Sequence, residues 1–277
     1  MQIFKTKSDL SSSLSSLADP LIGFVPTMGA LHNGHLELLR QAKKQCSVVV
    51  CSIFVNPTQF SNKEDFNSYP NTLSDDITKL EKINCDVLYV PDVSDLYTID
   101  EKTKHFNLNG LDNVMEGKFR KGHFDGVATI IEKFFNVIRP HKAYFGQKDL
   151  QQILVVKSLT KQLNLPIEII SVPTIREENG LAMSSRNKLL SPKEIETASM
   201  LYKSLKFCKT NKDKFSITHL KNCIKIQFSE QLEVDLEYLE FVDANNLQNI
   251  SFFQENNNAI CIAAYLGGVR LIDNIIF

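Results

Sequence analysis

The stretch Leu21-Ile-Gly-Phe-Val-Pro-Thr-Met-Gly-Ala-Leu-His-Asn-Gly-His35 decides how the rest of the chain is read. Its first five residues form a short apolar run that Pro26 punctuates, which predicts a buried strand over residues 21–25. Beyond His35, the spacing of Leu36 with Leu39 and of Leu38 with Ala42 predicts an amphipathic helix over residues 36–45. A strand that passes through a glycine-bearing turn into a helix is the building unit of an open parallel sheet. That turn lies at the edge where such sheets bind ligands.

Working outward, the same alternation repeats. Residues 48–55 are β-branched and continuously apolar, as a central parallel strand should be. Residues 73–83 read as a helix with Asp75 and Asp76 in its first turn, where the helix dipole favours acids. Further strands are predicted at 86–90, 143–146 and 167–172, and helices at 129–138 and 150–163. The predicted fold class is therefore α/β, a Rossmann-like doubly wound parallel sheet. The pattern changes near Thr174. A polar loop covers 176–187, helical stretches follow at 192–209 and 218–231, and strands at 236–242 and 259–266. Gly267-Gly268 then reads as a hairpin turn before a last strand at 269–272. Two domains are expected: 1–174, Rossmann-like, and 175–277, a smaller α+β lid.

Of the 277 residues 43% are hydrophobic, enough for a sizeable core, and the net charge is −1. A protein that binds nucleic acid mainly through phosphate contacts should be visibly basic, so no nucleic-acid partner is expected. No apolar stretch approaches the roughly 18 residues of a membrane span, and no signal-like apolar region opens the chain. The six cysteines are scattered without a Cys-x-x-Cys pair, which fits reduced thiols in a cytoplasmic protein.

Four segments carry candidate chemistry. In the first, His32 and His35 stand three residues apart at the start of a helix, where backbone N–H groups already favour anions. Gly34 between them leaves room for a nucleotide. In the second, Phe54-Val-Asn-Pro-Thr-Gln-Phe60, Gln59 is a neutral amide able to donate to a carboxylate and accept from a hydroxyl. In the third, Phe145-Gly-Gln-Lys-Asp-Leu-Gln-Gln152, Gly146 permits close backbone approach and Lys148 supplies a charge for phosphate. Asp149 caps the following helix or orients that lysine. In the fourth, Met183-Ser-Ser-Arg186, two hydroxyls and a guanidinium share one polar loop. Each segment alone is an ordinary surface feature. Together they supply the set that phosphoryl and nucleotidyl transfer needs, because that catalysis is mainly positioning and charge stabilisation. A P-loop and a Gly-x-Gly-x-x-Gly turn are both missing from the sequence, which disfavours that type of kinase and a dinucleotide dehydrogenase.

These segments, with Glu116-Gly-Lys-Phe-Arg-Lys-Gly-His-Phe-Asp-Gly-Val127 and the ending Arg270-Leu-Ile-Asp-Asn274, resemble the pantothenate synthetases of the HIGH-type nucleotidyltransferase superfamily. The likeness keeps the family's motif order over nearly the whole chain. It implies a ligase that joins pantoate to β-alanine with ATP through a pantoyl adenylate, releasing AMP and pyrophosphate. It further implies that Met28, Gly29, Ala30, Leu31, His32, Asn33, Gly34 and His35 line the ATP site, His35 being the proton donor. Gly146, Gln147, Lys148 and Asp149 would also bind ATP, Ile175 would meet the adenine through its backbone, and Met183, Ser184, Ser185 and Arg186 would close over the phosphates. His32, His35, Lys148 and Arg186 are then the catalytic set. Gln59 would bind pantoate and β-alanine, and Gln152 pantoate. A homodimer and a requirement for Mg2+ with ATP come with the resemblance; Asp75 and Asp76 are candidates to place the magnesium, beside their plainer reading as helix-start acids. Thr58 and Leu150 depart from the family, standing where a methionine and an aromatic are common. Two rival readings are an adenylyltransferase that leaves the nucleotide on its product and an RNA-binding module using Lys203, Lys206, Lys209, Lys212 and Lys214.

Overall fold

A computed structural model describes residues 1–60, 66–99, 101 and 103–277. These divide into two compact units, one of residues 1–147 and 151–173, the other of residues 148–150 and 174–277. The division is not a single cut. Lys148, Asp149 and Leu150 follow a strand of the first unit but pack with the second.

The first unit is built on six parallel strands: β1 (Gln2–Phe4), β2 (Ile22–Thr27), β3 (Val48–Ile53), β4 (Val87–Tyr89), β5 (Lys142–Gly146) and β6 (Glu168–Val172). Their spatial order is β1-β4-β3-β2-β5-β6. The chain runs outward from β2 through β3 to β4, then returns to β5 on the other side of β2. The switch point therefore lies between β2 and β5, and the carboxyl ends of strands at such a point are where open α/β sheets bind ligands.

Both faces of the sheet are covered, as continuous apolar strands require. Helix α2 (Asn33–Gln45) turns Leu36, Leu39 and Ala42 onto the face that carries Val25, Val49 and Cys51. On the opposite face lie Phe24 and Tyr89, whose rings meet Phe134 edge-on at centroid distances of 5.5 and 6.0 Å. Successive residues Phe24 and Val25 point to opposite faces, as the strand period dictates.

Pro26 does not end its strand. β2 runs on to Thr27, paired with β3 throughout (Pro26 opposite Ser52), whereas its ladder with β5 stops at Phe24. A residue without an N–H is tolerated there because the neighbour on that side has already diverged. The helix expected at 129–138 begins earlier, at His123, and runs to Ile138; Gly126 and the glycine N-cap Gly122 hide its start in the sequence. The sequence reading also passes over β1 and the serine-rich helix α1 (Lys7–Ser15), both too short or too polar to show periodicity.

The second unit holds an antiparallel sheet of β7 (Val234–Asp243), β8 (Asn258–Leu266) and β9 (Val269–Ile276), in that order. Gly267 and Gly268 have φ of +57° and +76°, the paired positive values that a tight hairpin turn of this hand demands. Leu201, Leu205, Leu220 and Ile224 come from two helices, Met200–Thr210 and Ile217–Ser229, and pack on Phe241, Ile260 and Ile262.

Candidate active site

The loop leaving β2 is held from beneath by one carboxylate. Asp76 Oδ2 accepts from the Ala30 N–H and Asp76 Oδ1 from the Leu31 N–H, each at 2.8 Å. Thr72 Oγ1 donates to Asp76 Oδ2 at 3.1 Å, while Lys79 Nζ donates to the Leu31 carbonyl at 2.8 Å and stands 3.7 Å from Asp76 Oδ1. Gly29 (φ +82°) and Ala30 (φ +49°) are both left-handed, a strained path that this grip maintains. At Gly29 a Cβ would come within 3.1 Å of Ile53 and 3.3 Å of Asp76 Oδ2.

The loop delivers His32 as the N-cap of α2 and His35 as its third residue. Gly34 N–H donates to His32 Nδ1 at 3.1 Å, and His32 N–H donates to His35 Nδ1 at 3.3 Å. The two rings lie 4.0 Å apart between centroids. In both imidazoles Nδ1 is an acceptor, so the neutral ring carries its proton on Nε2. The pair thus carries its ring protons on Nε2 at the N-terminus of the helix that follows β2. His32 has an extended backbone and caps the helix, rather than sharing its first turn with His35.

Gln59 is fixed by a cage of polar side chains in the turn Pro57–Gln59 that follows β3. Asn56 Nδ2 donates to Gln59 Oε1 at 3.2 Å and to the Gly126 carbonyl at 3.1 Å. Asn56 Oδ1 in turn accepts from Tyr97 OH at 2.8 Å and from Thr58 Oγ1 at 3.0 Å. Burial pushes the Tyr97 phenol above its ordinary range, which keeps it a donor. With Oε1 turned to Asn56, Gln59 Nε2 faces the other way, 3.1 Å from Met28 Sδ. Met28 and Gln59 are thereby neighbours. From the opposite side His123 Nδ1 donates to the Gln59 carbonyl at 2.7 Å, and Arg120 Nη1 donates to His123 Nε2 at 3.2 Å. Asn56, Tyr97, Arg120 and His123 were not singled out from the sequence. The only signal was that Asn56, Arg120 and His123 sit inside two of the recognised motifs. Gln151, not Gln152, is the buried glutamine of its pair: it holds the Leu111 and Val114 carbonyls at 2.5 and 2.8 Å and the Glu116 N–H at 3.0 Å, leaving Gln152 half-buried beside it.

In the second unit, Ile175 opens a loop in which Met183 N–H returns to the Ile175 carbonyl at 3.0 Å. Ser184 caps the short helix Ser185–Leu189, its Oγ accepting from Arg186 N–H at 3.3 Å. Asn187 Nδ2 donates to the Ala182 carbonyl at 3.1 Å. Lys148 belongs to this unit, and its carbonyl accepts from Asn274 Nδ2 at 2.8 Å.

Of the two acids considered for magnesium, Asp76 is fully buried and both its oxygens accept from loop amides, while Asp75 is exposed. Among the described residues no group of three or more His, Cys, Asp or Glu side chains could hold a metal ion. The lysines considered for RNA are spread along one helix and its end; Lys206 and Lys209 lie over the rings of Tyr202 and Phe277 at 5.8 and 5.1 Å, and Lys212 pairs with Asp213. Among the described residues no helix is long and apolar enough to cross a membrane.

A parallel sheet with a histidine pair at the N-terminus of the helix after β2, and a caged amide in the turn after β3, defines an α/β protein with polar side chains at the sheet's carboxyl edge, where such sheets bind ligands. The comparisons narrow that class. Residues 2–276 match the family model of pantoate-beta-alanine ligase. A pantothenate synthetase of Cytophaga hutchinsonii is 46% identical over 258 residues, covering 92% of this chain and 91% of that one. The crystal structure of pantothenate synthetase from Thermus thermophilus superposes with a TM-score of 0.94 at 36% identity, over 100% of this chain and 99% of that one. That of the Francisella tularensis pantoate-beta-alanine ligase, complexed with beta-gamma ATP and beta-alanine, gives 0.83 at 38% identity, over 100% and 97%. The chain belongs to the pantoate-β-alanine ligase family and is an enzyme of that family.

Proposed function

We propose that this chain condenses pantoate with β-alanine in two steps driven by ATP. A carboxylate is a poor electrophile toward an amine, so it must first be activated. In step one a pantoate carboxylate oxygen attacks the α-phosphorus of ATP, the bond from that phosphorus to the bridging oxygen breaks, and pyrophosphate leaves. In step two the β-alanine amine attacks the acyl carbon of the pantoyl adenylate. The acyl carbon–oxygen bond breaks, AMP departs with both electrons, and the nitrogen gives up a proton.

The chain's residues serve charge and position. His32 and His35 donate Nε2–H to phosphate oxygens as charge builds up in step one, with His35 the proton donor toward the leaving group. Lys148, Ser184, Ser185 and Arg186 serve the same charge as further donors. Gly146, Gln147 and Asp149 bind ATP through the turn after β5, and the Ile175 backbone meets the adenine. Gln59 Nε2–H holds the pantoate carboxylate and Gln152 its hydroxyl side, neutral amides that orient the nucleophile without pinning its charge. Magnesium belongs to this reading as an ion that would come with ATP and would supply positive charge to its phosphates. A homodimer in the cytoplasm completes it.

The observation that carries the proposal is the paired orientation of His32 and His35, whose Nδ1 atoms are both held by backbone amides. It is supported by the family match and by the relative crystallised with beta-gamma ATP and beta-alanine. An assay that omits ATP, pantoate and β-alanine in turn tests it. Pyrophosphate should appear only with ATP and pantoate, and AMP should be released on adding β-alanine. Pyrophosphate release that ignores pantoate, or a nucleotide retained on the final product, overturns the proposal.

A further inference from the structure

The last strand breaks its own pattern. From Val269 to Ile272 buried and half-buried residues alternate along β9, as on a sheet with one covered face; then Asp273 and Asn274 are both buried, at 4% and 3% exposure. Two successive polar side chains that point to opposite faces need partners on both. The partner of Asp273 is Arg176, whose Nη1 and Nη2 reach its two carboxylate oxygens at 2.6 and 3.0 Å. The same guanidinium donates to the Gly180 carbonyl at 3.2 Å and the Asn274 carbonyl at 3.3 Å, and its carbon lies 3.7 Å from the centre of the Tyr202 ring. Asn274 holds the main chain of Lys148, Nδ2 to carbonyl, at 2.8 Å. A carbonyl only accepts, which fixes the NH2 side of the Asn274 amide toward Lys148.

Arg176 opens the loop that ends in Ser184, Ser185 and Arg186. One dipeptide of β9 therefore grips the base of that loop with one side chain and the backbone of Lys148 with the next. We propose that Asp273 and Asn274 are positioning residues for the nucleotide chemistry, Asn274 acting through Lys148 and Asp273 through Arg176 and its loop. The inference rests on the reading of Lys148, Ser184, Ser185 and Arg186 as phosphate-binding groups. Neither β9 residue needs to touch a substrate. An ammonium on a flexible four-carbon stem is placed only as well as the backbone that carries it, and misplacement by about 1 Å can cost about 10²-fold in rate.

Asn274→Asp tests this with little change of shape, since it sets an oxygen against the Lys148 carbonyl in place of a donor. Pantoate-dependent ATP–pyrophosphate exchange is measured for Asn274→Asp, Lys148→Ala and the double variant. The expected result is a kcat lowered about 10- to 100-fold in Asn274→Asp, an unchanged KM for β-alanine in the full reaction, and no further loss when it is added to Lys148→Ala. An exchange rate equal to wild type, or a loss that multiplies with that of Lys148→Ala, overturns the proposal. Asp273→Asn with Arg186→Ala forms a parallel cycle; should Asp273→Asn fail to fold, the Asn274 cycle decides alone. Wild-type exchange in both Lys148→Ala and Arg186→Ala would remove the functional reading and this inference with it. Loss in those two with wild-type exchange in Asn274→Asp removes the inference only.

Discussion

In His35 the His32 amide occupies Nδ1, which leaves the ring proton of the neutral imidazole on Nε2. Removing an aligned donor of this kind lowers turnover by about 10²- to 10³-fold. His35→Ala should therefore lose at least about 10² in pantoate-dependent turnover while its far-ultraviolet circular dichroism stays that of wild type; near-normal turnover rejects the assignment. Asp76 makes a different kind of contribution. Its two oxygens satisfy two buried loop amides, and each donor left without a partner costs about 1–3 kcal/mol. Asp76→Ala should accordingly lower unfolding stability by about 2–6 kcal/mol, read from urea denaturation without any metal. A variant as stable as wild type would mean that the carboxylate does not brace the loop.

At the scale of elements, the helix His123–Ile138 is pressed onto the turn that carries Gln59. Asn56 reaches the Gly126 carbonyl across this contact, and a Cβ on Gly126 would stand 2.4 Å from the Thr58 carbonyl oxygen. Backbone on that side cannot yield as a flexible side chain would. Gly126→Ala should cost about 1–3 kcal/mol through overpacking and, by shifting the turn, raise KM for pantoate more than KM for ATP. Equal stability and unchanged KM values would show that the helix and turn have room to spare. Thr58 belongs to the same element. Its hydroxyl donates to Asn56 Oδ1, which adds a contact to the Gln59 cage.

Across the whole molecule five of the six cysteines are buried, Cys223 alone being partly open. Burial pushes the Cys85 thiol up to about 11 and Cys208 up to about 12, and holds Cys51 well above the ordinary range. A thiol reagent at neutral pH should react quickly with one thiol in the folded protein and with all six in urea; two or more fast thiols would contradict this packing. The sign of the linked pH effect follows from the raised values. Above the ordinary thiol value of about 8.5 the unfolded chain ionises while the folded thiols stay protonated. Stability should thus be complete below that pH and fall as pH rises toward 11 and 12, seen as a falling urea midpoint. A midpoint flat over that range would argue against buried, protonated thiols.

The sequence by itself determined the alternation of strand and helix up to Thr174, the hairpin at Gly267-Gly268 and the four polar segments, because strand and helix periods and turn residues are local properties. It also carried the family's motifs in order. It left undecided which side chains would act and which would brace. Asp76 reads as an acid at a helix start and becomes the anchor of a strained loop; Gln151 and Gln152 are adjacent and identical in type, yet only the first is buried. Asn56, His123, Asp273 and Asn274 gain their roles from partners distant in the chain. Hydrogen-bond direction and burial depend on contacts that close only when the chain has folded, so only the tertiary structure could decide them.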